Sequence, residues 1–215
     1  MGNWREWRKQ RRLELIALRE AIAAGDYELW NLAITESLKQ GFPILRHTVV
    51  GFCWPHRGEY DPRSFMEYIQ SCGATPALAE VTSRHEPLGF RRWWRGAPMK
   101  AGMYNIPVPD NTDVVRVSAL VIPMIGFDTA GFRLGYGGGY FDRTLVSMDP
   151  RPLAIGVAFE ILRLDDTYPQ PHDVPMDFIV TERGIYRGTA GGMTFISADD
   201  CAHLVRNGAP SPSGA

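Results

Sequence analysis

Residues 123–143 read PMIGFDTAGFRLGYGGGYFDR, the densest run of turn-forming residues in the chain. An apolar segment, 114–122, leads into this run, and residues 140–148 leave it with the pattern of a short helix. The stretch therefore joins a buried strand to a helix. Between the two stand Gly135, Gly137, Gly138 and Gly139. Glycines let backbone N–H groups turn toward one point and let a ligand come close to the main chain. The positive end of a helix dipole beside them completes an anion site. Arg133 precedes the glycines and offers two parallel donors to a phosphate. Asp142 follows them and offers oxygen to a divalent metal. A Walker loop would close with Gly-Lys-Ser/Thr, yet Gly138-Gly139 is followed by Tyr140-Phe141, and a dinucleotide fingerprint counted from Gly135 would need glycine at Tyr140. Two readings stay open on these residues: an anion site of neither common kind, or a glycine turn without a ligand.

Outward from this stretch the chain alternates helices and buried strands. Residues 4–24 form an amphipathic pattern through Trp4, Trp7, Leu15, Leu18 and Ile22, with Gly25 as a stop and a basic opposite face. A second helix is expected from a capping Asp26 to Gly41, and a third opens at Asp61-Pro62. Residues 48–54, 75–81, 88–94, 114–122, 153–159 and 178–181 read as strands, and 102–110 as a Pro-punctuated loop. This order predicts an α/β fold whose mostly parallel sheet is covered on both faces. Residues 1–206 are expected to form one domain, and 207–215 a disordered Pro/Ser/Gly tail.

The composition narrows the function classes. Of 215 residues, 23 are Lys or Arg and 24 Asp or Glu, so the net charge of −1 leaves no cation excess for nucleic acid. Three scattered cysteines form neither a disulfide framework nor a zinc pattern. No apolar run reaches the ~20 residues of a membrane span, and acids interrupt the basic face of the Trp4/Trp7 helix that would otherwise suit a membrane surface. A cytoplasmic protein acting on small molecules is expected, with no nucleic acid and no membrane as partner. Nothing in the sequence fixes an oligomeric state.

The string GFDTAGFRLGYGGGYFDR resembles the signature of the 5-formyltetrahydrofolate cyclo-ligase (5,10-methenyltetrahydrofolate synthetase) family. Weaker matches flank it in order: the basic first helix, GEYDP at 58–62, FRRWWRGAPMKAG at 90–102 and HDVPMDFIVTE at 172–182. The resemblance implies a three-layer α/β/α sandwich and ATP-dependent closure of 5-formyltetrahydrofolate to 5,10-methenyltetrahydrofolate, releasing ADP and phosphate. It implies that Arg133, Leu134, Gly135, Tyr136, Gly137, Gly138, Gly139, Tyr140 and Phe141 wrap the ATP phosphates, with Arg133 and Tyr140 catalytic. Arg8 and Arg12 fall on the pair that reaches the nucleotide from the first helix. Asp142 and Asp177 match the aspartates that hold Mg²⁺, and Trp54 and Glu59 match positions that contact the reduced folate.

The chain also departs from the family pattern. Arg8 stands where the family has lysine, Val108 where it has an acid, and Phe141 where it has a second tyrosine. The phosphate side is intact and the folate side altered, which leaves a second hypothesis: a paralogue that binds folate or nucleotide without turnover. From residue type alone, Arg8 and Arg12 also fit a solvated helix face. His172-Asp173 suits either acid–base work or loop hydrogen bonding, and Trp93-Trp94 either core packing or a pterin platform.

Overall fold

The computed structural model describes residues 3–208. Its centre is an eight-stranded sheet. Five strands are parallel: β1 (Val49–Phe52), β2 (Thr75–Glu80), β6 (Ala119–Pro123), β9 (Leu153–Val157) and β10 (Phe178–Thr181). Antiparallel strands extend both edges: β3 (Gly89–Arg92) pairs with β2, and the hairpin β11 (Gly184–Thr189) and β12 (Gly192–Ile196) continues from β10. The spatial order is β12-β11-β10-β9-β6-β1-β2-β3. Two short hairpins stand apart from the sheet, β4 (Met99–Ala101) with β5 (Pro107–Pro109), and β7 (Gly126–Phe127) with β8 (Arg133–Leu134).

Of the parallel strands β1, β6 and β9 are apolar throughout, while β2 carries Thr75 and Glu80 and β10 ends on Thr181. Val50, Phe52, Leu120, Ile122, Ile155, Ile179 and Val180 are all buried, as strands covered on both faces require. Helix α3 (Arg63–Ser71) lies in the β1–β2 connection and α4 (Tyr140–Ser147) in the β6–β9 connection. These connections step in opposite directions along the sheet, so right-handed crossovers place the two helices on opposite faces. Helix α2 (Ala24–Gly41) packs on α3, on β10 and β11, and on α5 (Ala198–Arg206), which completes one covering layer. Helix α1 (Trp4–Glu20) is adjacent to the β7 segment, where Leu15 closes against Gly126. Among the described residues no helix is long and apolar enough to cross a membrane.

The expected elements formed, with shifted ends. The first helix stops at Glu20 rather than at residue 24, and Asp26 lies inside α2, whose N-cap is Ala23. Pro62, expected at the first helical position, is the N-cap of the third helix, and Asp61 stands one residue before the cap, its Oδ1 accepting from the Arg63 N–H at 3.0 Å. The stretch 102–110, expected as loop, contains β5, and the β11–β12 hairpin and α5 were not foreseen. Of the expected tail, Asn207 and Gly208 form a turn after α5, and 209–215 lie outside the described residues.

One buried carboxylate fixes the path from β7 back to β8. Asp128 is 2% exposed, and its Oδ1 accepts the N–H groups of Ala130 and Phe132, both at 3.0 Å. Its Oδ2 accepts the Thr167 N–H at 3.0 Å and hydroxyl at 2.7 Å. Four donors thus converge on one side chain, and the Thr167 carbonyl in turn accepts from Arg8. In Asp128→Asn an amide N–H₂ would face the Thr167 N–H. The expected loss is about 1–3 kcal/mol of unfolding free energy in urea titrations; a change below about 0.5 kcal/mol would remove this role.

Candidate active site

Strands β1 and β6 are neighbours whose chains leave in opposite directions, β1 toward β2 and β6 toward β9. In open α/β sheets the crevice outside the carboxyl ends of such strands is where ligands bind. Here β1 ends at Phe52 and feeds the segment holding Trp54 and Glu59, while β6 ends at Pro123 and feeds the β7–β8 hairpin and the glycine loop. The topology thus brings together two segments that lie far apart in sequence.

The glycine loop is shaped for an anion. Gly137 and Gly139 have φ of 91° and 63°, the left-handed region that glycine enters without strain. Gly139 is also the N-cap of α4, and no side chain caps that end. The first N–H groups of α4 therefore lack side-chain acceptors and face the positive end of the helix dipole. Gly138 does not have positive φ, and a Cβ there would meet the Tyr140 ring at 2.7 Å.

Arginines surround the loop. Arg12 Nε donates to the Gly135 carbonyl at 2.6 Å, and its guanidinium lies 3.4 Å from where a Cβ on Gly137 would sit. Burial presses the Arg12 pKa downward, and the like charge of Arg8 adds to this. Arg8 is buried, donating from Nε to the Thr167 carbonyl at 2.9 Å and from Nη2 to Asp173 Oδ2 at 2.6 Å. Arg133 is buried as well; Nη1 donates to the Val174 carbonyl at 3.0 Å and Nη2 pairs with Asp142 Oδ1 at 2.8 Å. Burial lowers the Arg133 pKa against the opposing pull of Asp142. Arg8, Arg12 and Arg133 outnumber Asp142 and Asp173, so the cluster carries one uncompensated positive charge. A charge held out of water with too few anions favours an incoming phosphate.

Tyr140 and Phe141 open α4. The Tyr140 hydroxyl shares a 2.9 Å hydrogen bond with that of Tyr104, at the tip of the β4–β5 hairpin. The Arg133 guanidinium lies 5.8 Å from the Phe141 ring centroid. Leu134 is buried in the core under the loop. Val108, on β5, is buried and fills space beside Gly102, an apolar packing role with no polar contact.

The two aspartates proposed for metal have separate partners. Asp142 Oδ1 accepts from Arg133 and from the Val174 N–H at 3.0 Å, while Oδ2 has no hydrogen bond among the described residues. That free oxygen, on a partly exposed carboxylate, suits a hard cation carried in by a polyphosphate. Asp177 stands at the amino end of β10. Its carboxylate accepts the Ala154 N–H at 2.8 Å and the Arg151 Nη1 at 2.9 Å, so both oxygens are engaged in bracing β9. In this arrangement Asp177 does not offer a free ligand beside Asp142. Among the described residues no group of three or more His, Cys, Asp and Glu side chains is arranged to hold a metal ion.

On the β1 side, Glu59 is 4% exposed. Its Oε1 accepts from the Tyr136 hydroxyl and its Oε2 from the His56 N–H, each at 3.0 Å. Burial pushes its carboxyl pKa up, against the opposing effects of Arg19, the His56 N–H and Tyr136. Arg19 is almost fully buried, lies 3.8 Å from Glu59 Oε1, and donates to Tyr136 Oη at 2.9 Å. Trp54 is half-buried, with the Arg63 guanidinium 4.9 Å over its ring. It lines an open cavity of about 780 Å³ with Tyr27, Asn31, Trp93 and Met99. Trp93 packs edge-on against Phe52 and belongs to the core, whereas Trp94 is only partly buried.

Sequence reasoning missed Arg19, Asp128, Thr167 and Tyr104. In the sequence Arg19 reads as one more cation of the basic helix, although it falls one turn after Leu15 on the buried stripe. Asp173 anchors Arg8 and the Gln170 N–H, while His172 is exposed and 3.8 Å away, so this pair serves loop hydrogen bonding. Asp-x-x-Gly at 128–131 is a turn signature, the signal from which Asp128 could have been found.

Against this geometry the comparisons are decisive. The model of the 5-formyltetrahydrofolate cyclo-ligase family matches residues 75–182. The chain belongs to this family. A 5-formyltetrahydrofolate cyclo-ligase of Escherichia coli (strain K12) is 26% identical over 168 residues, 74% of this chain and 91% of that protein. One from Mycoplasma pneumoniae is 33% identical over 67 residues, 31% of this chain and 40% of its relative. The chain thus spans less than half of some cyclo-ligases it matches and nearly all of others. A solved 5,10-methenyltetrahydrofolate synthetase of Aquifex aeolicus superposes with a TM-score of 0.73 at 23% identity, covering 84% of this chain and 92% of the other. The shared fold accounts for the sheet order that leaves the crevice.

The Arg8–Asp173 pair is testable by pH. Burial raises the Asp173 pKa, but the Arg8 hydrogen bond and the Gln170 N–H outweigh it and hold the carboxyl below its ordinary value. A depressed folded-state pKa contributes stability above the unfolded value and loses it as pH falls through the folded one. Asp173→Asn is therefore expected to flatten the fall in stability from about pH 5 toward pH 3. Unfolding curves with the same acid slope in parent and variant would contradict the pairing.

Proposed function

We infer that this cyclo-ligase family member uses ATP to close 5-formyltetrahydrofolate to 5,10-methenyltetrahydrofolate, and that it works in the cytoplasm as an enzyme of one-carbon metabolism. The observation that carries this is the convergence, at one sheet crevice, of the glycine loop and its buried arginines with the Glu59 segment. The name 5-formyltetrahydrofolate cyclo-ligase borne by the matched relatives supports the reaction.

The chemistry follows from the groups present. The formyl oxygen attacks the γ-phosphorus, and the bond to the ADP oxygen breaks. The resulting imidate phosphate has an electrophilic carbon that N10 attacks. Phosphate then leaves with the former formyl oxygen, taking up the N10 proton. Such a reaction needs positioning and charge neutralisation more than covalent help from the protein. Arg133 meets charge growing on the transferred phosphoryl group, the Gly135–Gly139 backbone holds the phosphates, and Arg8 and Arg12 hold the nucleotide from α1. Tyr140, tied to Tyr104, closes the outer side of the loop. Asp142 Oδ2 would be the protein ligand of a Mg²⁺ ion bound with ATP, which would supply neutralisation of phosphate charge. Asp177, the second aspartate expected at the metal, holds β9 in register nearby. Glu59 and Trp54 receive the reduced pterin, and Glu59 accepts two of its N–H donors.

Val108 and Phe141, the substitutions that raised a non-catalytic role, leave the cluster intact, since neither removes a charge from it. Purified protein is expected to generate the near-ultraviolet absorbance of the methenyl product only when ATP and 5-formyltetrahydrofolate are both present. Arg133→Lys keeps the charge but loses the fork geometry, and should lower kcat about 10²-fold. No product from the parent chain would favour the binding protein, and an unchanged kcat in Arg133→Lys would remove Arg133 from the chemistry.

A further inference from the structure

Tyr136 is the one residue of the glycine loop whose side chain reaches the opposite wall of the crevice. Its ring is half exposed, at 51%, yet its hydroxyl donates to the buried Glu59 Oε1 and accepts from the buried Arg19 Nη2. Glu59 Oε2 is already engaged by the His56 N–H. Each oxygen keeps a further lone pair, but the carboxylate is 4% exposed beneath these partners, so a folate N–H reaches it only where one of them moves aside. The backbone N–H of His56 is fixed by its own segment. The Tyr136 hydroxyl is instead carried on a half-exposed ring between two glycines, Gly137 with φ of 91° and Gly135 with open space where a side chain would be.

On the reading that Glu59 receives the reduced folate, we propose that the Tyr136 hydroxyl is a stand-in for the acceptor. It holds the Glu59 carboxylate oriented in the free protein and yields that position when the pterin N–H groups arrive. Arg19 is a positioning residue for the same carboxylate. It is fixed by the carbonyls of Arg57, at 2.9 Å, and of His56 and Met124, each at 3.4 Å, and so keeps a cation beside Glu59 before and after the exchange. Departure of Tyr136 would also release the middle of the phosphate loop, which links occupation of one site to the shape of the other.

The groups facing Glu59 are Arg19 from α1, the Tyr27 hydroxyl from α2 on its backbone carbonyl, Tyr136 from the glycine loop, and Cys53 and His56 from its own segment. Burial and the Glu59 carboxylate push the Tyr136 phenol up to about 12, so it remains a donor at neutral pH. Removing that donor has two consequences. The acceptor no longer competes with it, and the free carboxylate loses a hydrogen bond that favours its charged form.

The test is calorimetric titration of 5-formyltetrahydrofolate into the parent chain and into Tyr136→Phe from about pH 5 to pH 8, with thermal midpoints recorded to show that both are folded. The variant is expected to bind folate about threefold to tenfold more tightly near pH 7.5, the worth of one competing hydrogen bond. The acid limb of its binding profile should also move to higher pH. If the parent binds and a folded Tyr136→Phe binds equally or more weakly, or its acid limb does not move, the exchange is overturned while the acceptor assignment stands. If Tyr136→Phe does not fold, Tyr136→Leu gives the same comparison with the same expected direction. If the parent chain binds no folate, the acceptor assignment falls, and this inference with it.

Discussion

Two adjacent parallel strands that send their chains in opposite directions cannot be bridged by either connection at their carboxyl ends, and the crevice between β1 and β6 is the result. Everything chemically distinctive in the molecule is anchored to that gap. From one side it receives the Trp54–Glu59 segment, from the other the glycine loop, and from above α1, which contributes Arg8, Arg12 and Arg19 to both halves. Asp128 and Thr167 keep the β6 side in place by tying the β7–β8 turn to the segment that anchors Arg8. The site depends on these connections because it lies on loops, and loops hold catalytic geometry only when a rigid scaffold and buried hydrogen bonds fix them.

The electrostatics of the two halves differ in a way that suits the phosphate and the folate proposed for them. The phosphate half carries three guanidinium groups against two carboxylates in a buried setting, a costly arrangement that a polyanion relieves. The acceptor half carries a single buried acid beside a single buried arginine. Glu59 is disfavoured as a carboxylate by its burial, and only Arg19, Tyr136 and a backbone N–H keep that charge tolerable. Tyr136 belongs to both halves, since its backbone lies in the phosphate loop and its hydroxyl lies on the acid.

Much of this was legible in the sequence. The parallel strands β1, β6 and β9 appear as uninterrupted apolar runs because they are covered on both faces, and the stretch at 178–181 matched its strand to the residue. The glycine cluster between Arg133 and Asp142 left an anion site and a ligand-free turn both open, and the structure places those two residues in one ion pair at that loop. What stayed hidden were interactions between residues far apart in the chain. Arg19 reads as a surface cation in a basic helix, and only the fold turns it inward to Glu59, 40 positions away, and to Tyr136. Asp177 looks like a free turn carboxylate until Arg151 and the Ala154 N–H are seen to occupy it. The β11–β12 hairpin lacks a continuous apolar run because it lies at the sheet edge, with Phe195 exposed, so its sequence carries little burial signal.

The central claim is that this crevice brings a formyl oxygen against a phosphoryl group. Labelling the formyl oxygen of 5-formyltetrahydrofolate with ¹⁸O and turning it over with ATP tests that directly. The account predicts the label in the inorganic phosphate released, one atom for each methenyl group formed. Label appearing in water, or retained in the folate while ATP is cleaved, would contradict it.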